Sequence, residues 1–378
     1  MPIKHNIVFV KNKLITVDTI LPFLIELKKD YNYSSEIVIF DKLAYRAINE
    51  NIVIKDGIKY VGKQVFITKG INSKILRRIY LVKGLFIIFV KSIFGANLFH
   101  FGALDQYPLK IIGVLFKKNV YKFPGVAYNF QYPKFSKFHG NKPKKFKKVG
   151  DNCVVFNGNG NFDYCGGVKF TYDIVAPRTR KVWIDYIRER SDYYLNEFHS
   201  NIKVDNGFIV VITGPITLEL RKLVDPYNDS PRLFRETIDI LTQYSNKIPI
   251  LIKPHPLTNM ILLKEIISDK DNVFITYLHP TVLSLHARVF IANLFSNTLA
   301  DAYSLGVDTI EYTNYTKKLL NVTSGKSLEK QFVTHFINND YNKLESVVGT
   351  IISRNHKTSS YTGICDNNLE LVNKITHK

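Results

Sequence analysis

The sequence predicts an α/β protein of two domains. Three observations carry that expectation. At 378 residues the chain is long for one core and comfortable for two. With 46% apolar, 13% aromatic and 22% charged residues it has the balance of folded domains rather than of a disordered tail. Short apolar runs of strand length alternate with helical patterns through both halves.

In the N-terminal half, NIVFVK (6–11) reads as a first strand. Residues 15–30 follow as a helix, with Ile20, Phe23, Leu24 and Leu27 at helical spacing. EIVIFD (36–41) is a second strand. KQVFITKG, a long apolar helix, NLFHFG (97–102), a helix over 104–117 and NVYKFPG (119–125) continue the alternation. QYPKFSKFHGNKPKKFKK (131–148) is basic, carries two prolines and has no periodicity, so it is expected to be an exposed loop. DNCVVFNGNGNFDYCGG mixes a strand with glycine-rich turns, and 176–198 reads as one helix leading into a new unit. These elements place an N-terminal domain at 1–190, a C-terminal domain at 200–350 and a tail at 351–378.

The second half is more regular. GFIVVITG (207–214), IPILIK (248–253), NVFITY (272–277), RVFIANL (288–294) and VDTIEY (307–312) are five strands separated by helices near 231–245, 258–268 and 297–305. A parallel, doubly wound sheet is the natural solution, because right-handed crossovers put helices on both faces. A long helix near 327–353 is expected to pack back across the first domain.

The charge is unusual: 52 Lys and Arg against 32 Asp and Glu give +20. Such an excess points to an anionic partner, whether nucleic acid, a membrane face or a phosphorylated small molecule. Cys153, Cys165 and Cys365 are three and cannot all pair, which favours a reducing compartment. The opening MPIKHNIVFVKNK lacks the apolar core and cleavage site of a secretory signal, so a cytoplasmic protein is expected. RRIYLVKGLFIIFVKSIFGANLF (77–99) imitates a membrane span, yet Lys83 and Lys91 cut its uncharged segment far below the roughly 20 residues a span requires. It is read as a core helix, with a helix lying on the inner membrane face as the alternative.

Ligands of parallel sheets gather at the carboxyl ends of the strands, and two motifs stand there. KPHP (253–256) ends one strand. Pro254 and Pro256 restrict the backbone around His255, and Lys253 adds a cation beside it, a pairing suited to a phosphate. After the strand 288–294, Ser296, Asn297 and Thr298 stand where a helix begins, so hydroxyls and backbone N–H groups can cradle an anion. Glu311, on the next strand, is a candidate acceptor for ribose hydroxyls. Gly214, in the turn TGP (213–215), is expected to face the ligand.

KPHP together with SNTLADAYSLGVDTIEY (296–312) resembles the HP and S motifs of bacterial GT-B glycosyltransferases that use CMP-activated ulosonic acids, the sialyl-, polysialyl-, Kdo- and pseudaminyl-transferases of capsule and lipopolysaccharide synthesis. The resemblance covers roughly 207–312. It implies a GT-B fold with two Rossmann-like domains facing a cleft and a C-terminal helix crossing back to the N-domain. It further implies that His255, Ser296 and Thr298 contact the CMP phosphate, with Lys253, Pro256, Gly214 and Asn297 around them and Glu311 on the ribose. Asn297 departs from the Ser or Thr often found there. In such enzymes the catalytic carboxylate projects across the cleft, and Asp105, Asp163 and Glu219 are the candidates alongside His255. Arg178 and Arg180 in APRTRK (176–181) are candidates for the sugar carboxylate. No cofactor or metal is expected, because the single phosphate of a CMP leaving group can be neutralised by protein donors.

The expected activity is transfer of a nonulosonic acid from a CMP donor to a bacterial surface glycan or glycolipid, on or near an anionic inner-membrane face that KPKKFKK (142–148) would touch. A CDP-glycerol-type glycerophosphotransferase shares a similar framework and is the alternative. A nucleic-acid-binding protein is a distant third reading, since no recognition motif accompanies the charge and the aromatics lie in core strands. NGNGNFDYCGG does not follow G-x-G-x-x-G and is not a dinucleotide fingerprint.

Overall fold

The computed structural model describes residues 4–10, 14–68, 71, 73–124, 149–156, 168–202, 206–214, 216, 229–256, 258–294, 296–328, 330–354, 361 and 369–376. The chain divides into two compact units. One is Met1–Asn129 with Asn141–Ile184 and Ile364–Lys378, and the other is Phe130–Gly140 with Asp185–Gly363.

The first unit runs β1 (His5–Val10), α1 (Leu14–Tyr31), β2 (Ser34–Ile39), α2 (Lys42–Glu50), α3 (Ile52–Val61), β3 (Gly62–Phe66), α4 (Lys74–Ile93), β4 (Asn97–His100), α5 (Leu109–Leu115), β5 (Val120–Lys122), β6 (Asn152–Phe156) and β7 (Phe170–Ile174). All neighbours are parallel in the order β3-β2-β1-β4-β5-β6-β7. The central strands are continuous Val, Ile and Phe runs because helices cover a parallel sheet on both faces: Ile7, Val8, Phe9 and Val10 are all fully buried.

α6 (Lys181–Arg188) spans the division, and α7 (Ser191–His199) opens the second unit. The helix expected over 176–198 is thus two, separated at Arg190, whose ψ of 0° leaves helical geometry. Then follow β8 (Phe208–Ile212), α8 (Ser230–Thr242), β9 (Ile250–Lys253), α9 (Met260–Ile267), β10 (Val273–Ile275), α10 (Pro280–His286), β11 (Ala287–Ala292), α11 (Thr298–Ser304), β12 (Asp308–Thr313), α12 (Lys317–Thr323), β13 (His335–Asn338) and α13 (Tyr341–Ile352). The parallel order is β10-β9-β8-β11-β12-β13, the arrangement of a doubly wound dinucleotide-binding sheet.

The helix expected near 327–353 is instead β13 followed by α13. Asn339 takes a left-handed φ of +53°, and Asp340 caps the helix by accepting from Lys343 N at 3.0 Å, so the chain must break there. Leu344, Val348 and Ile351 of α13 join the core of the second unit. It is α14 (Leu369–Thr376) that belongs to the first unit: Tyr33 Oη donates to Ile375 O at 3.0 Å and Tyr121 Oη to Lys374 O at 3.2 Å, with Leu371 and Ile375 fully buried.

Two other expectations are corrected. Helix α4 is not a core helix. Leu81, Leu85, Ile88 and Ser92, spaced down one side, face the body of the unit, whereas Ile75, Val82, Phe86 and Ile93 are 59–72% exposed. One narrow stripe satisfies the sheet beneath it, and the remaining apolar side chains have nothing to pack against. Cys153 is disulfide-bonded. An odd count forbids pairing all three cysteines but not two of them, so it carries no argument for a reducing compartment. No helix among the described residues is long and apolar enough to cross a membrane.

Candidate functional site

In the second sheet the strand order reverses between β8 and β11, and the crevice outside the carboxyl ends at such a reversal is where doubly wound folds hold ligands. Register places Ile212 of β8 opposite Lys253 of β9 and Ala292 of β11, so the three strands end level. KPHP leaves β9 and the serine-led segment leaves β11, one strand to each side of β8. At about 4.8 Å per strand the two motifs start about 10 Å apart. Gly214 lies between them: a Cβ there would stand 3.5 Å from that of Leu294 and 3.7 Å from that of Ser230.

A chain of hydroxyls fixes the KPHP turn. The His255 backbone N–H donates to Thr213 Oγ1 at 2.9 Å, Thr213 and Thr258 hydroxyls are 3.0 Å apart, and Thr258 Oγ1 donates to Gly214 O at 3.2 Å. Since Thr258 spends its proton on the carbonyl, Thr213 donates to Thr258, and every donor has an acceptor. Thr258 N also returns to His255 O at 2.9 Å. Both threonines are buried, so the loop that presents His255 is anchored to the β8 end. Thr213 and Thr258 are the positioning residues that reading the sequence missed. Their only signal was a hydroxyl directly after one strand and another three residues beyond His255.

His255 itself is exposed, yet the protein around it desolvates the imidazole enough to hold its pKa below the usual 6.5. It is therefore neutral at pH 7 and offers an N–H rather than a spare proton. Lys253 Nζ donates to Leu278 O at 2.7 Å, which keeps its positive charge at the end of β9. Pro256 is exposed at the turn.

Across β8, Ser296 Oγ accepts from Thr298 N at 3.3 Å, an ordinary helix-start bond that still leaves the hydroxyl proton as a donor. Ser296, Asn297 and Thr298 are all half-buried. Asn293 Oδ1, Asn297 Oδ1 and Thr313 Oγ1 are buried at the ends of β11 and β12 and make no hydrogen bond among the described residues.

Glu311 departs from its expected role. It is fully buried, two residues before the end of β12, where it accepts from Tyr315 Oη at 2.7 Å and from Ser327 Oγ. Burial pushes its carboxyl up to about 7, against the pull of those two donors. A folded pKa above the unfolded 4.5 means that the native state binds the extra proton. Stability is therefore greatest below pH 4.5 as far as this group is concerned, and is lost as pH rises through about 7. Glu311→Gln, which stays neutral, is expected to flatten that fall and to gain up to about 3 kcal/mol at pH 8, read from urea melts across the pH range. An unchanged pH profile would mean that the carboxyl titrates alike in the folded and unfolded states, and so is not perturbed by its burial.

In the first unit, Asp105 accepts from Lys122 Nζ at 3.0 Å through Oδ2, while its Oδ1 is buried with no hydrogen bond among the described residues. Both residues, with buried His100, lie at the carboxyl ends of β4 and β5. Burial, reinforced by the charge of Lys122, pushes the His100 imidazole down to about 3. Arg178 and Arg180, read as ligands for a sugar carboxylate, are turned inward onto α1. Arg178 pairs with Asp18 at 2.8 Å, and Arg180 grips Glu26 through two bonds of 2.5 and 2.6 Å. Each arginine already has a carboxylate and is at most 5% exposed. Asp163, Glu219 and KPKKFKK lie outside the described residues. Among the described residues no group of His, Cys, Asp and Glu is placed to hold a metal ion.

The chain matches no family profile and no curated protein. Solved structures do match over nearly the whole chain. UDP-N-acetylglucosamine 2-epimerase from Rickettsia bellii superposes with a TM-score of 0.55 at 10% identity, covering 100% of this chain and 95% of its own. The glycotransferase of kitacinnamycin reaches a TM-score of 0.49 at 8% identity (93% and 91%), and Anabaena HepE in complex with UDP and glucose 0.46 at 11% (98% and 97%). The first of these likenesses, with the two parallel sheets, defines the class: an α/β protein with the two Rossmann-like units of the GT-B fold.

Proposed function

We propose that the protein is a glycosyltransferase that moves a nonulosonic acid of the sialic, pseudaminic or Kdo type from a CMP-activated donor to a bacterial surface glycan or glycolipid. The observation that supports this reading most is the placement of KPHP and the serine-led segment on opposite sides of β8 at the strand-order reversal. A neutral His255 donates an N–H to the donor phosphate, the hydroxyls of Ser296 and Thr298 donate from the far side, and Lys253 supplies positive potential behind them. The protein groups supply the charge neutralisation a CMP leaving group needs, so no metal enters the scheme. Of the described carboxylates, Asp105 is the candidate base for the acceptor hydroxyl.

The acceptor side is proposed to work against the inner membrane face. Helix α4 carries Lys74, Arg77, Arg78 and Lys83 with no acidic residue among its exposed apolar side chains, so an anionic bilayer complements it. A second copy of the chain would set the same cations against each other.

Thermal-shift titration tests the donor. CMP and CMP-ulosonates are expected to raise the melting temperature, more than UDP or UDP-sugars do, because a ligand that favours the folded state stabilises it. Stabilisation by uridine nucleotides alone would overturn the cytidine assignment. Release of CMP with a free ulosonic acid on slow donor hydrolysis would separate this reading from CDP-glycerol transfer.

A further inference from the structure

A cavity of about 450 Å³ lies within the first unit, between the N-terminal half of α4 and the segment that leads into α5. Its aliphatic and aromatic wall is made by Phe40, Leu81, Leu85, Leu109 and Pro108. Lys74, Arg77 and Arg78 also line it, and no acidic residue does. None of these three cations makes a side-chain hydrogen bond or ion pair among the described residues, whereas Lys91, further along the same helix, is held by Glu36 at 2.6 Å. The cations are thus exposed, without a counter-charge among the described residues, and gathered at one cavity.

We propose that this cavity binds an anionic amphiphile, a phosphate-headed lipid whose first carbons lie against the apolar wall while Arg77 and Arg78 hold the head. The size is that of a small-molecule site, and a fork of guanidinium donors matches phosphate oxygens. A nucleotide fits less well. Among the described residues Thr68, Gln106 and Tyr107 are the neutral polar side chains that line it, few with which to read a base and a ribose, while the aliphatic wall suits an alkyl chain. The two helices beside the cavity also expose Ile79, Phe86, Ile111, Val114 and Leu115, as expected where the ligand arrives from an apolar phase. The site rests on the first unit alone, and binding is measured without any sugar donor, so its failure and that of the proposed transfer reaction are distinguishable.

The full-length protein would be titrated calorimetrically with dioctanoyl phosphatidic acid, dioctanoyl phosphatidylcholine and inorganic phosphate. Phosphatidic acid is expected to bind at least about tenfold more tightly than either control, and the double variant Arg77→Gln/Arg78→Gln to lose about tenfold of that affinity with its melting temperature unchanged. Equal binding of inorganic phosphate would remove the apolar share, equal binding of phosphatidylcholine the anionic share, and full affinity in the double variant the assigned residues; each overturns the proposal. Should the variant fail to fold, the selectivity of the parent among the three probes still decides. Sedimentation with phosphatidylcholine vesicles carrying phosphatidylglycerol distinguishes the sources. Binding that the double variant loses places the ligand in a bilayer, and binding of the short-chain lipid without vesicle binding assigns a soluble amphiphile.

Discussion

With His255 replaced by alanine, turnover is expected to fall by a factor of about 10²–10⁴, the usual worth of a positioned donor or proton-transfer group. Folding should be preserved. The ring is exposed, and the loop is held through the His255 backbone N–H on Thr213 Oγ1, a bond that alanine keeps. CMP release from a CMP-ulosonate, with circular dichroism as the control, reads both. Because desolvation lowers the imidazole pKa below 6.5, the working form at neutral pH is the neutral donor. His255→Asn, which retains an N–H, is therefore expected to recover part of the lost rate. Asparagine as poor as alanine would return the histidine to proton transfer, and near-parental alanine turnover would remove it from the mechanism.

The second large effect concerns stability. Arg180→Met is expected to cost about 3–5 kcal/mol, because it leaves the largely buried Glu26 carboxylate of α1 without its two guanidinium bonds. The double variant Arg180→Met/Glu26→Leu should lie closer to the parent, since removing both charges also removes the desolvation penalty. Urea unfolding followed by the fluorescence of Trp183, three residues along the chain and fully buried, is the measurement. The same variants separate a structural role from a sugar-carboxylate role. A folded Arg180→Met protein with parental stability and a raised KM for the donor would restore the arginine to substrate binding.

The strands of both units were legible because parallel strands buried on two faces must be written as unbroken apolar runs: NIVFVK, GFIVVITG and RVFIANL admit no other reading at that length. β13 was not, because HFIN is short and half-buried at the edge of the sheet, so its pattern merges with the helix that follows. Helix α4 misled for the opposite reason. Its apolar content is that of a core helix, and only the narrow contact with the sheet reveals that most of it faces outward.

The motif residues of the candidate site could be picked out from chain order, since KPHP and SNT each follow an apolar run and strand ends are where ligands go. Their nearness to one another could not, because β9 and β11 are separated by 33 residues between Lys253 and Ala287 and become near neighbours only through the crossover that inserts β8 between them. Glu311, Arg178 and Arg180 teach the same lesson from the other side. A charged residue in a sequence carries no statement of which way it points, and in this fold one carboxylate is enclosed by Tyr315 and Ser327 while two arginines are turned onto α1. Local pattern determined which segments are strands and helices, and which residue types stand at strand ends, because periodicity and turn chemistry act over a few residues. Tertiary structure alone decided which charges meet carboxylates of the chain itself and which remain for a ligand, because pairing depends on distances between residues far apart in sequence.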